Sequence, residues 1–372
     1  MKFQLPPYNP PDFSSESLHA APDAAFLPAP ADHVAPEAYH ATTIYPEYFK
    51  INGRWLLLAQ SRMDCVAVFE NGELHAREFR RIRRGDQIAV GRSEDGREGI
   101  LVHADGFSGP VSGLSTTANR SCPRESFAFR QSRSRETAFS ADYDFLYDLL
   151  RHDRAHGHIV WVLGPACSFD AESRRAFAGL VEKGYVGALL AGNALATHDL
   201  EAGYLHTALG QDIYTQAPIP NGHYHHIDTI NRARLHGSIE RFIEAEGIDD
   251  GIIHACVRRG VPFVLTGSIR DDGPLPGVYG DAYAGQDAMR AQLSRATTVV
   301  ALATTLHTIA AGNITPAFHV LPDGTVRPVY FYTVDISEFA ANKLADRGSL
   351  TAKSIITNAR DFIVQLEKAL GV

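Results

Sequence analysis

The sequence predicts an α/β protein: a Rossmann-like doubly wound parallel sheet with a smaller β domain on its N-terminal side. Three observations carry this. Through the second half of the chain, short and nearly uninterrupted apolar runs recur, each stops in small or polar residues, and a segment of helical spacing follows. Strands covered on both faces by alternating helices read this way. The region before it shows shorter β-like runs separated by turn residues instead. At 372 residues the chain is also long enough for two domains, each with its own core.

Taken in order, residues 1–42 are rich in Pro and Ala and lack periodic apolar pattern, which predicts an extended arm or a poorly ordered leader. Residues 43–135 are expected to hold the small β-rich domain and its linker. Its runs are 55–58, 66–69, 88–90 and 100–102, and Glu70-Asn71-Gly72-Glu73 reads as a hairpin turn because Asn-Gly takes positive φ at both central positions. A polar stretch, 112–135, leads into the Rossmann-like part at 136–372. There 143–150 has helical spacing. Buried-strand runs at 158–163, 186–190, 261–265, 298–302 and 329–334 end in Gly164-Pro165-Ala166, Gly192-Asn193-Ala194, Gly267-Ser268, Thr304-Thr305 and Asp335. A weaker run, 354–356, precedes Thr357-Asn358 and a closing helix at 361–370. Ligands of such sheets bind beyond the carboxyl ends of the strands, so function is expected at these residues.

Composition narrows the function classes. A formal charge of −8 gives no long-range attraction to nucleic acid or anionic lipid. The first residues lack the basic and apolar regions of a signal peptide, and no run is apolar enough to span a bilayer. The cytoplasm is the expected location. Cys65, Cys122, Cys167 and Cys256 show no CxxC spacing, which indicates neither a zinc knuckle nor a disulfide framework.

Several strand ends carry chemistry. Gly164, Gly192 and Gly267 suit close approach of backbone to a ligand, or simply make tight βα turns. Asp335 suits the ribose diol of NAD and would repel the 2′-phosphate of NADP; alternatively it caps a helix from Ser337 onward. No GxGxxG fingerprint is present. Gly222-His223-Tyr224-His225-His226-Ile227-Asp228 is the densest group of bases. A His there would titrate near working pH and serve in acid/base catalysis. The same residues would suit a metal, but no second cluster completes a ligand set, so none is expected; a structural loop is the remaining alternative. Arg270-Asp271-Asp272 pairs a guanidinium that would clamp a carboxylate with acids that would hold an ammonium. Cys256 lies on a helical stretch, where an inert buried thiol competes with a reactive one.

At these residues the chain resembles the NAD-containing archaeal-type ornithine cyclodeaminases, a module also found as the C-terminal part of cyanobacterial arginine dihydrolase and known as the LOR/SDH conserved domain. The marks are Gly184-Tyr185-Val186, residues 189–196, 260–265, 267–276 and 343–349, with Arg80-Arg81-Ile82-Arg83-Arg84-Gly85 in the β-like part. Residues 45–372 are covered. The resemblance implies NAD contacts at Asn193, Ala194, Asp271, Thr304, Thr305, Leu306, His307, Asp335, Asn358 and Ala359. Catalysis is expected from His223 and His226, to which the resemblance extends, and from Arg270, Asp272 and Cys256 on the reading of those residues themselves. The implied reaction oxidises the α-amine of ornithine, releases ammonia as the side-chain amine closes the ring, and returns the hydride to give proline. Where the family has a Gly-His-Arg step this chain has His223-Tyr224, and after Asn313 it carries an inserted segment, 319–327. The expected substrate is therefore ornithine or a close analogue, a small amino acid taken by a homo-oligomer without nucleic-acid or membrane partners. Two other classes compete: an NAD-dependent amino-acid dehydrogenase or imine reductase, and a non-enzymatic NAD-binding module.

Overall fold

The computed structural model describes residues 3–107, 141–271, 273–338, 340–341 and 350–372. The expected linker at 112–135, the boundary at 135, Cys122, Asp272 and the family mark at 343–349 lie outside the described residues. Among the described residues, seven strands build the N-terminal part: β1 (Ala25–Pro28), β2 (Glu47–Ile51), β3 (Arg54–Leu57), β4 (Cys65–Glu70), β5 (Glu73–Glu78), β6 (Gln87–Val90) and β7 (Ile100–Val102). They form two antiparallel sheets, β1-β6-β4-β5 and β3-β2-β7. The expected turn is the β4–β5 hairpin, with Asn71 at φ 52° and Gly72 at φ 89°.

The structure differs from the expected leader. Within 1–42, β1 pairs along its length with β6, and single bridges join Tyr39 to Val90 and Ala41 to Val66. β1 lies at the sheet edge, where the missing N–H of Pro28 can face away from the ladder. Ala29 then fills a small core with Val66, Val68, Ile82 and Ile88. A short helix, α1 (Glu16–His19), is held by Lys50, whose buried ammonium donates to the carbonyls of Leu18, His19 and Ala21.

The second part begins with α2 (Ala141–His156) and β8 (Ile159–Leu163), followed by α3 (Ala171–Glu182), β9 (Ala188–Gly192) and α4 (Asn193–Leu205). A small ribbon, β10 (Thr207–Ala208) and β11 (Gln211–Asp212), leads to α5 (His225–His236), α6 (Ile239–Glu246) and α7 (Ile252–Arg259). Then come β12 (Phe263–Thr266), α8 (Ala282–Leu293), β13 (Thr298–Leu302) and α9 (Thr305–Ile314). The segment 319–327, expected to be inserted, lies in a hairpin of β14 (Phe318–Val320) and β15 (Val326–Pro328), and β16 (Tyr330–Asp335), β17 (Thr351–Ile356) and α10 (Ala359–Leu370) follow.

Six of these strands form one parallel sheet in the order β12-β9-β8-β13-β16-β17. Counted along the chain that order is 3-2-1-4-5-6, the doubly wound arrangement whose ligand crevice opens where the winding reverses, here between β8 and β13. Alternate side chains serve opposite faces. Trp161, Leu189, Val300 and Tyr332 pack on one side with α2, α3, α4, α7 and α10; Val160, Leu190, Val299 and Phe331 pack on the other with α8 and α9.

Buried polar groups lock the helices of the first side. Arg174 on α3 and Asp199 on α4 form an ion pair at 2.9 Å, both at most 2% exposed. Asp199 also accepts the backbone N–H groups of Ile252 and Ile253 at 3.0 and 2.8 Å, which satisfies the first turn of α7.

Candidate active site

The crevice is built by the ends of the strands. Gly164 follows β8, and a Cβ there would overlap the carbonyl of Ala303 after β13, so only glycine lets these two ends lie side by side. α4 starts directly after β9, and α9 directly after Thr304. Among the described residues, neither N-cap, Gly192 or Thr304, gives its helix a side-chain cap. Those free donors and the helix dipoles suit the phosphates of a dinucleotide.

His307, on the first turn of α9, hydrogen-bonds Thr266 Oγ1 through Nε2 at 2.7 Å, and burial holds its pKa below the usual imidazole range. Its ring sits against Gly192, where a Cβ would come within 3.0 Å of Cε1. Asp335 ends β16, half-buried, with Oδ1 accepting the N–H of Ser337 at 2.8 Å. Both readings of this acid thus retain a basis, since one oxygen caps the backbone and the second carboxylate oxygen stays outside that bond. Asn358 accepts the N–H of Asp361 at 2.8 Å and caps α10.

Beside the crevice lies a cleft of about 690 Å³ between α4, α5 and the loop after β12. It brings together Asn193, Ala194, His223, His226, Arg270 and Asp271, six residues drawn from three separate stretches of sequence. Asn193 is committed on one side, where its Oδ1 accepts the N–H of Leu275 at 3.0 Å and fixes the loop across the helix end. Thr304, Thr305, Leu306, His307, Asp335, Asn358 and Ala359 stand at the ends of β13, β16 and β17 instead.

Cys256 is not part of the cleft lining. It is fully buried in the main core on α7, and burial pushes its thiol well above the usual range, the state of an inert cysteine. The histidine cluster is not a loop: residues 222–224 make a single 3-10 turn, and His225 opens α5. Helical geometry therefore separates the imidazoles, with His226 and His223 on the cleft and His225 turned to Thr207 at 2.7 Å. Among the described residues, no hydrogen bond engages the rings of His223 or His226, which leaves their nitrogens for a ligand. No group of three or more His, Cys, Asp or Glu is arranged among them to hold a metal ion.

The cleft also contains Thr197, His198, Asn231 and Arg234, which sequence reasoning missed. A signal existed. His226, Ile230 and Arg234 repeat at four-residue spacing on α5, and Ala194 and His198 do so on α4, each set one stripe of a helix. Arg234 and Arg270 form no ion pair among the described residues, so two guanidiniums face the cleft beside three imidazoles. Tyr224, on the turn before α5, lies with its ring tilted 39° to that of His223 at 4.2 Å and offers no cation, whereas Arg234 on α5 does.

Comparison with known proteins accords with this geometry. Residues 146–366 match the family model described as arginine dihydrolase ArgZ-like, C-terminal, Rossmann fold. The chain is 34% identical over 354 residues to the ornithine cyclodeaminase of Methanopyrus kandleri, covering 92% of this chain and 77% of that one. A conserved LOR/SDH protein from Methanococcus maripaludis superposes with a TM-score of 0.80 at 33% identity, covering 94% and 98% of the two chains. AgrE, the bifunctional arginine dihydrolase/ornithine cyclodeaminase of Nostoc sp., is 33% identical over 359 residues, 94% of this chain and 47% of AgrE. Its ternary complex with ornithine and NAD+ superposes with a TM-score of 0.58, covering 95% and 46% of the chains. By these matches, the chain belongs to the ornithine cyclodeaminase family that includes the C-terminal Rossmann module of ArgZ-like arginine dihydrolases.

Proposed function

We propose that this protein is an NAD-dependent ornithine cyclodeaminase, an ammonia-lyase that converts ornithine, or a close analogue, to proline. The observation that carries the reading is the adjacency of two sites: a dinucleotide crevice in the 3-2-1-4-5-6 sheet, and a polar cleft opening next to it, lined by two guanidiniums that form no ion pair among the described residues and by three imidazoles. Relatives bearing that name, and one solved with ornithine and NAD+, support it.

The donor set fits NAD. The free N–H groups of α4 and α9 would receive the pyrophosphate, and Asp335 a ribose diol. When bound, NAD supplies an acceptor that takes the hydride and returns it within one turnover. The rest is done by side chains. Arg234 and Arg270 hold the substrate carboxylate, for which a guanidinium fork is suited. Asp271 attracts an ammonium group, and His223 and His226 move protons between the amines and solvent. A recycled cofactor has no reason to leave, so the nucleotide is expected to be retained; cytoplasmic location and homo-oligomeric assembly belong to the same proposal. Among the described residues no helix is long and apolar enough to cross a membrane.

The test is direct. Purified protein is expected to release NAD on denaturation, and incubation with ornithine to yield equal amounts of proline and ammonia with no accumulating NADH. Steady NADH formation would identify a dehydrogenase, and bound nucleotide without any turnover a binding module. A second measurement isolates Asp335. Asp335→Asn keeps an oxygen to cap Ser337 and removes only the charge, so loss of a charge-assisted bond is expected to weaken NAD binding by about 1.5–3 kcal/mol, roughly 10- to 150-fold. Unchanged affinity by calorimetry would reduce this acid to its capping role.

A further inference from the structure

A buried relay behind the cleft is used by none of the groups assigned so far. His198, on α4, lines the cleft and is 12% exposed, and its Nδ1 lies 2.8 Å from Glu201 Oε2. Glu201 is wholly buried, and no Lys or Arg among the described residues pairs with it. Its other oxygen, Oε1, accepts from Thr207 Oγ1 at 2.9 Å, and Thr207 Oγ1 lies 2.7 Å from His225 Nδ1.

The protons can be placed by counting. In its ionised state Glu201 only accepts, and in that state His198 Nδ1 and the Thr207 hydroxyl both donate to it. The single hydroxyl proton is then spent, so Thr207 accepts from His225 Nδ1. Each ring thus carries its proton on Nδ1, and His198 presents the lone pair of Nε2 from the cleft wall. Burying an ionised carboxylate without a countercharge costs several kcal/mol. The one cation this carboxylate can acquire from a hydrogen-bonded partner at the cleft is an imidazolium at His198. An imidazolium formed at that ring would thus find the Glu201 carboxylate directly behind it, 2.8 Å from Nδ1.

We infer that His198 takes the proton of the substrate α-ammonium, which His226 and His223 then pass to solvent, and that Glu201 is its positioning residue, an assignment that rests on the ornithine reading above. In the step, an N–H bond of the substrate α-ammonium breaks and its electron pair stays on the amine nitrogen. The proton forms a new bond to His198 Nε2, and the imidazolium is paired with Glu201. Charge is conserved, and the amine gains the lone pair it needs before its carbon can give up a hydride. Groups facing His198 fit this direction of transfer. The His226 ring stands 6.1 Å away on α5, and the Phe169 ring 5.6 Å away edge-on. Arg234, Arg270 and Asp271 complete the charged lining, the guanidiniums holding carboxylate rather than competing for the proton.

The experiment uses the whole chain saturated with NAD and two variants, His198→Ala and Glu201→Gln, with folding and NAD occupancy checked for each. His198→Ala is expected to lose at least about 100-fold in turnover with ornithine, and added imidazole to restore part of it. Glu201→Gln, whose amide can donate to the ring and turn it to the other tautomer, is expected to lose about 10- to 100-fold in kcat with little change in KM. Nitrogen-15 NMR of the imidazoles gives a readout independent of activity: His198 is expected as the Nδ1–H tautomer in the wild type and to lose that state in Glu201→Gln. A wild type with His198 protonated on Nε2, or a His198→Ala variant that keeps full turnover, would overturn the inference and leave the ornithine reading standing. A wild type that binds NAD but does not convert ornithine overturns that reading instead, and the tautomer measurement then decides the relay by itself.

Discussion

Replacing His226 with Ala is expected to lower ornithine turnover by about 10²- to 10⁴-fold, the range typical of a lost acid/base group, while NAD occupancy and folding stay near wild type. The expectation comes from placement. His226 sits on the cleft side of α5, only half-buried, with no hydrogen bond among the described residues to tie its ring, and its neighbour His225 faces inward to Thr207. A ring with no hydrogen-bond partner among the described residues is cheap to remove from the fold and costly to remove from the reaction. His223→Ala is expected to act in the same direction. A metal would give a different pattern: chelators would inactivate the wild type, and elemental analysis would find near-stoichiometric ion. If both variants retained full activity, these imidazoles would be spectators and the protons would pass by other groups.

Asp199→Ala is expected to produce the largest loss of stability, about 3–5 kcal/mol, because it leaves Arg174 buried without its close partner. The same carboxylate ends two further obligations, the N–H groups of Ile252 and Ile253 that open α7. Asp250 still reaches Arg174 at 2.9 Å, but it is 50% exposed and cannot replace the buried contact. Urea unfolding measures the change, with Glu182→Ala as the control. Glu182 pairs with Arg258 at the surface, and such a pair contributes about 0–1 kcal/mol. Equal small shifts in the two variants would show that Arg174 is adequately held by Asp250 alone.

Gly164→Ala extends the same logic to the crevice, since the added Cβ meets backbone rather than a movable side chain. The glycine there serves the closeness of two strand ends, whatever ligand they receive.

By itself, the sequence determined the strands of the sheet and the residues at their ends. A strand buried on both faces is written locally as an apolar run, and a βα turn as the small residues after it, so 158–163 through 354–356 could be read without knowing their neighbours. The Asn71-Gly72 hairpin was legible for the same reason, a local demand for positive φ. Tertiary structure alone decided which ends lie together. The order 3-2-1-4-5-6 places Gly164 against Ala303, and no local pattern encodes a contact between positions so far apart. It also decided that 25–28 join a sheet, since their pairing with 87–90 depends on an edge left open by other strands. It placed Cys256 in the core and drew Arg234 and His198 into one cleft from two helices whose polar stripes are ambiguous alone. Glu201 is the sharpest case: an ordinary helical glutamate in the sequence, it becomes a buried carboxylate only because β10 and α5 close over it, and burial is what gives its hydrogen bond to His198 chemical weight.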